Sequence, residues 1–231
     1  MSDAAPNASA PLCSMPRNST LVLSLIFVLA AIFSLTGSFF ALPWMHFLFT
    51  PLATLCIFSI ALSNWRSFKK TYAFWISIGL FFSLLGDVAL LRPGRYFLPG
   101  LMAFLFAHIA YLMALTRQTK FPARFSLWLI YLSIAAALYA ALRPGLPGEL
   151  RLPVAGYAIL LALMAGQAMG RWFVRRTGSA WFAAMGALLF MLSDALLASD
   201  RFRAPLPCAS LLILVPYFAG QYLMALSTSE L

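Results

Sequence analysis

Acidic residues are nearly missing from this chain. Its 231 residues include only six, Asp3, Asp87, Glu149, Asp194, Asp200 and Glu230, against 16 lysines and arginines. Histidine is rarer still, with His46 and His108 alone and no HxxxH or HExxH spacing, so no catalytic metal is expected. The three cysteines, Cys13, Cys56 and Cys208, are too scattered to frame disulfides or a metal site. No GxSxG elbow, Cys/His pair or phosphate-cradling glycine loop is present, and nothing in the chain calls for a cofactor. Charged residues make up 10% of the chain and hydrophobic ones 63%, and the mean hydropathy is +0.90. That balance excludes a soluble domain, whose surface needs charged side chains to be wetted.

What the chain has instead is long apolar runs. A helix needs about 20 apolar residues to cross the hydrocarbon of a bilayer. Eight stretches qualify, at 20–40, 45–63, 72–91, 98–116, 125–142, 152–170, 180–199 and 207–227. The expected fold class is an all-α membrane protein with eight transmembrane helices, and the short connections leave no room for a soluble domain. Residues 1–19, rich in Ala, Pro, Ser and Asn, read as a disordered tail ahead of a transmembrane domain spanning 20–231. The tail is not a cleavable signal peptide, because the apolar run after Arg17 is too long and lacks a small-x-small exit. The net charge of +10 is spread over short loops rather than gathered in a stripe, which argues against nucleic acid and for topology. Alternating the loops puts ten basic residues on one side: Arg17, Arg66, Lys69, Lys70, Arg117, Lys120, Arg124, Arg171, Arg175 and Arg176. Six fall on the other: Arg92, Arg95, Arg143, Arg151, Arg201 and Arg203. The positive-inside rule then places both termini in the cytoplasm.

An internal repeat organises the spans. Gly79-Leu-Phe-Phe-Ser-Leu-Leu-Gly-Asp87 aligns without gaps on Gly186-Ala-Leu-Leu-Phe-Met-Leu-Ser-Asp194. Tyr111-Leu-Met-Ala-Leu-Thr116 is nearly reproduced as Tyr222-Leu-Met-Ala-Leu-Ser227, and Pro51-Leu-Ala is matched more weakly by Pro153-Val-Ala. An even number of spans separates the copies, so two parallel four-helix repeats, about 20–116 and 125–227, are expected about an axis along the membrane normal.

Asp87 and Asp194 are the only acidic residues inside spans. A carboxylate in hydrocarbon costs a few kcal/mol and turns inward, which makes it a functional candidate by default. Helical rise from Arg92 and Arg201 puts both roughly 7 to 10 Å below the non-cytoplasmic rim. The bland alternative is that each pairs with Arg92, Arg95 or Arg201, or caps a helix. Two carboxyls sharing a low-dielectric site and one proton are a general acid and a general base. His108 and Tyr111 share a face of the fourth span, Tyr217 and Gln221 a face of the eighth, and Ser83 and Ser193 flank the aspartates; all six are supporting candidates. His108 lies at least a turn deeper than Asp87, so orienting water or a carboxyl suits it better than proton transfer. Gly166-x-x-x-Gly170 reads as a helix-packing motif.

Phe82-Ser-Leu-Leu-Gly-Asp87, Gly100-Leu-Met-Ala-Phe-Leu-Phe-Ala-His108-Ile-Ala-Tyr111, the Gly186 to Asp194 block and Tyr217-Phe-Ala-Gly-Gln221 together resemble the signature blocks of the YhhN-like lysoplasmalogenases. The likeness runs over most of the chain from the second span onward. One departure is visible: Thr50-Pro51 stands where many members carry Lys-Pro. The resemblance implies hydrolysis of the vinyl ether bond of lysoplasmalogen to a fatty aldehyde and glycerophosphocholine or glycerophosphoethanolamine. The partners it implies are the lysophospholipid and membrane lipid, and a homodimer is left open. The chemistry of the residues agrees: a vinyl ether is cleaved by protonation at its β-carbon and capture of the oxocarbenium ion by water, which takes one carboxylic acid and one carboxylate. Two other classes use membrane aspartates: a proton-coupled transporter and an intramembrane aspartyl protease.

Overall fold

In a computed structural model the protein is described over residues 17–65 and 70–229. Most of the expected tail, and the loop carrying Arg66 and Lys69, lie outside the described residues. Eight helices follow one another: α1 (Arg17–Phe39), α2 (Pro43–Trp65), α3 (Lys70–Leu90), α4 (Pro93–Thr116), α5 (Phe125–Leu142), α6 (Gly148–Arg175), α7 (Gly178–Phe202) and α8 (Ala209–Leu226), with a single 3₁₀ turn at Arg143–Gly145. All eight are long and apolar enough to cross a membrane. The chain is an integral, multi-pass membrane protein.

The helices start where the local chemistry starts them. Pro43 and Pro93 each occupy the first position of a helix, where the missing N–H costs nothing. The Thr177 side chain caps α7 by accepting from the Ala180 amide at 3.3 Å. Several helices outrun their apolar stretches: α6 extends to Arg175 and α4 begins at Pro93, turning through a non-helical Tyr96 (φ −116°, ψ 21°) before entering its span. Polar ends continue a helix into the interfacial region at little cost, so hydropathy underestimates helix length.

Sequence neighbours pack on one another within 17–116 and within 125–229, and the two sets meet where α4 lies on α6 and α2 on α8. Ile57, Ile60, Ile76, Leu80, Tyr111, Met164, Phe190 and Met224 are almost fully buried between the helices. Leu25, Ile32, Leu48, Val88, Ile159 and Leu192 point outward, as side chains facing lipid do. α7 and α8 approach each other closely: a Cβ on Gly186 would stand 2.8 Å from the Gly220 carbonyl oxygen, and one on Gly220 2.9 Å from that of Gly186. Gly166 and Gly170 also serve packing, against Trp128 and against Ala123 and Arg124.

Candidate functional site

One end of the bundle is hollow. The C-terminal ends of α1, α3 and α7 and the N-terminal ends of α2, α4 and α8 surround a cavity of about 280 Å³. Both membrane aspartates, Asp87 and Asp194, stand on its wall, with Ser193 and Tyr217 beside them. A second cavity of about 80 Å³, almost entirely apolar, lies between α4, α5, α6 and α7 and is lined by residues such as Phe97, Leu138, Leu161 and Met191. Asp194, Leu90, Phe104 and Leu197 belong to both walls. A chamber that carries the polar groups and a greasy slot therefore adjoin at a carboxylate.

Each carboxylate is held by a hydroxyl from the preceding helix. Thr54 on α2 donates to Asp87 Oδ2 at 2.5 Å, and Tyr157 on α6 donates to Asp194 Oδ2 at 2.6 Å. Buried carboxylates need such donors, because an unsatisfied one costs several kcal/mol. The Tyr217 hydroxyl also lies against Asp87. Two of the three arginines expected as alternative partners have contacts elsewhere: Arg201 donates to the Pro93 carbonyl at 3.3 Å and lies 4.0 Å over the Phe97 ring, while Arg95 covers Tyr96.

Behind the aspartates runs a buried network. Tyr111 donates to Gln221 Oε1 at 2.7 Å and its hydroxyl is 3.2 Å from Ser83 Oγ, so these three candidates join α3, α4 and α8. Ser193 donates to the Ile213 carbonyl at 2.8 Å and ties α7 to α8 at the cavity wall. His108 sits apart from the cavity lining, fully buried among Tyr157, Phe190 and Tyr111, with no hydrogen-bond partner for either ring nitrogen among the described residues. Three residues at the site, Thr54, Tyr157 and His46, are absent from the candidates that the sequence supplies. Thr54 and Tyr157 each follow a proline of the weaker repeat, Pro51 or Pro153, by about one turn, but only the packing shows that this turn faces the next helix.

Fold and site together define a multi-pass helical membrane protein with two carboxylates on the wall of a cavity that adjoins an apolar slot. The YhhN family profile matches residues 45–228, and the chain belongs to the YhhN family. It is 32% identical to the lysoplasmalogenase TMEM86A of Bos taurus over 81% of this chain and 79% of that protein. With the lysoplasmalogenase TMEM86B of Sus scrofa it shares 38% identity over 64% of this chain and 60% of that protein. With the uncharacterized membrane protein YhhN of Escherichia coli O157:H7 it shares 27% identity over 86% of this chain and 94% of that protein. No solved structure matches the chain.

Proposed function

We propose that this protein is a lysoplasmalogenase that hydrolyses the vinyl ether bond of lysoplasmalogen through Asp87 and Asp194. The observation that carries this reading is that both carboxylates line one chamber and that Asp194 also borders an adjoining apolar slot. Relatives named lysoplasmalogenase support it. The alkenyl chain lies in the slot between α4, α5, α6 and α7, and the glycerol and headgroup lie in the chamber. One aspartic acid delivers its proton to the vinyl β-carbon, leaving an oxocarbenium ion. The other, as carboxylate, stabilises that cation and takes a proton from the water that attacks the α-carbon. The resulting hemiacetal collapses to a fatty aldehyde and a free glycerol hydroxyl, which leaves as glycerophosphocholine or glycerophosphoethanolamine. Thr54 and Tyr157 hold the two carboxyls in place, and Ser83, Tyr111 and Gln221 stiffen the wall behind them.

The same reading includes two parallel repeats. Three features support it: the hydroxyl donors run from α2 to Asp87 on α3 and from α6 to Asp194 on α7; α2 meets α8 as α6 meets α4; and Gly79 and Gly186, aligned in sequence, both face the helix that follows at close range. It also sets both termini in the cytoplasm, with the chamber opening on the opposite face.

Purified protein in detergent, where no ion gradient exists, is the test. Release of aldehyde from choline or ethanolamine lysoplasmalogen, but not from lysoacyl controls, separates a hydrolase from a transporter. Asp87→Asn and Asp194→Asn should each lower turnover at least about a hundredfold at matched folded protein, since an amide neither donates an acidic proton nor stabilises a cation. Turnover within about tenfold of the parent in either variant would sink the pair mechanism.

A further inference from the structure

His46 has no part in the chemistry above, yet it lines the chamber together with Ser38 and Thr50. Its Nδ1 is met by three hydroxyls from two helices: Ser38 at 2.9 Å, Thr50 at 3.1 Å and Ser34 at 3.3 Å, with Ser34 and Thr50 themselves 2.6 Å apart. A ring held this way is fixed in orientation before any ligand arrives. Its Nε2 has no partner among the described residues, and the side chain is only partly buried. The other polar residues on the wall are hydroxyls and three carboxylates, Asp87, Asp194 and Asp200, so His46 is the one lining side chain that presents a nitrogen donor or can carry positive charge. His46, Thr50 and Thr54 lie at successive turns of α2, and Thr54 holds Asp87. His46 is thus about 12 Å along the helix axis from the residue that grips the reacting carboxyl, on the side of the chamber mouth.

We propose that His46, braced by Ser34, Ser38 and Thr50, binds the phosphate of the lysophospholipid through Nε2 and thereby selects phospholipid over headgroup-free substrates. An anion entering a chamber lined by aspartates needs a fixed donor, and bonds to charged groups are the stronger class. This assignment rests on the lysoplasmalogenase reading for the identity of its ligand, and its test reads binding rather than turnover.

The full chain in lipid nanodiscs is titrated with a 1-acyl lysophosphatidylcholine and with the monoacylglycerol of the same chain length. The first is expected to bind more tightly. His46→Leu should weaken lysophosphatidylcholine by about tenfold or more, the size of a lost bond to a charged group, and leave the monoacylglycerol unchanged. His46→Gln, whose amide nitrogen reaches the position of Nε2, should restore most of the difference. Equal losses on both ligands, or no loss on the phospholipid, overturn the proposal. A parent that discriminates through His46 but cleaves no vinyl ether sinks the catalytic reading and leaves this one standing; cleavage without His46-dependent discrimination does the reverse.

Discussion

In the proposed mechanism Thr54 and Tyr157, which donate to Asp87 and Asp194, set which oxygen of each carboxyl faces the substrate. Tyr157→Phe keeps the ring in place beside His108 and removes only the hydroxyl that Asp194 accepts. It should slow turnover by roughly tenfold or more while leaving KM nearly unchanged, because the loss concerns the reacting carboxyl and costs about 1 to 3 kcal/mol. Thr54→Val should do the same through Asp87, and steady-state kinetics of the two variants checks both. The pair also predicts a pH profile. A step that needs one proton on two carboxyls falls at low pH, when both are protonated, and at high pH, when both are ionised. Turnover against pH should be bell-shaped in the parent, and no Asn variant should regain the parent's rate at any pH. The double Asp→Asn variant should be about as slow as either single one, since the first substitution already removes the shared proton.

At the scale of helices, the contact between Gly186 and Gly220 decides how closely α7 approaches α8, and with it where Asp194 stands relative to Tyr217. A methyl group on Gly186 meets backbone, which cannot swing aside as a side-chain tip can. Gly186→Ala should therefore lower the melting temperature in detergent and reduce activity together. Gly156, also inside a helix, would place its Cβ in open space. Gly156→Ala should be neutral or stabilising by up to about 1 kcal/mol, the usual gain of alanine over glycine in a helix. A thermal-shift comparison of the two variants is the measurement; a larger loss at Gly156 than at Gly186 would contradict this account of the α7–α8 contact.

At the scale of the whole molecule, the proposed orientation, which rests on the ten-to-six division of basic residues, sets the chamber mouth opposite the cytoplasm. The native cysteines report on this without added probes. Cys208, exposed just before α8, lies at the chamber end, Cys56 is buried, and Cys13 precedes α1. In intact cells an impermeant maleimide should label the parent and Cys13→Ser, but not Cys208→Ser. Labelling that follows Cys13 instead reverses the orientation and turns the chamber to the cytoplasm.

Sequence alone determined that this chain lives in a bilayer and where it crosses, because hydrocarbon imposes a length and an apolarity that can be counted one residue at a time. It also singled out Asp87 and Asp194, since a carboxylate inside an apolar run is costly wherever the helix goes. Ser193 was legible as the neighbour of Asp194, and Tyr217 as sharing a helix face with Gln221. Only the tertiary structure decided what surrounds the carboxyls. The donors Thr54 and Tyr157 are 33 and 37 residues away in the chain, and no period or spacing ties a hydroxyl on one helix to an acid on the next. The two histidines show the limit most clearly. The sequence favoured His108, through the helix face it shares with Tyr111, and passed over His46, yet packing encloses His108 among aromatic rings and leaves His46 on the wall of the chamber. Which face of a helix looks into a cavity is set by its neighbours, and the neighbours are chosen by the fold.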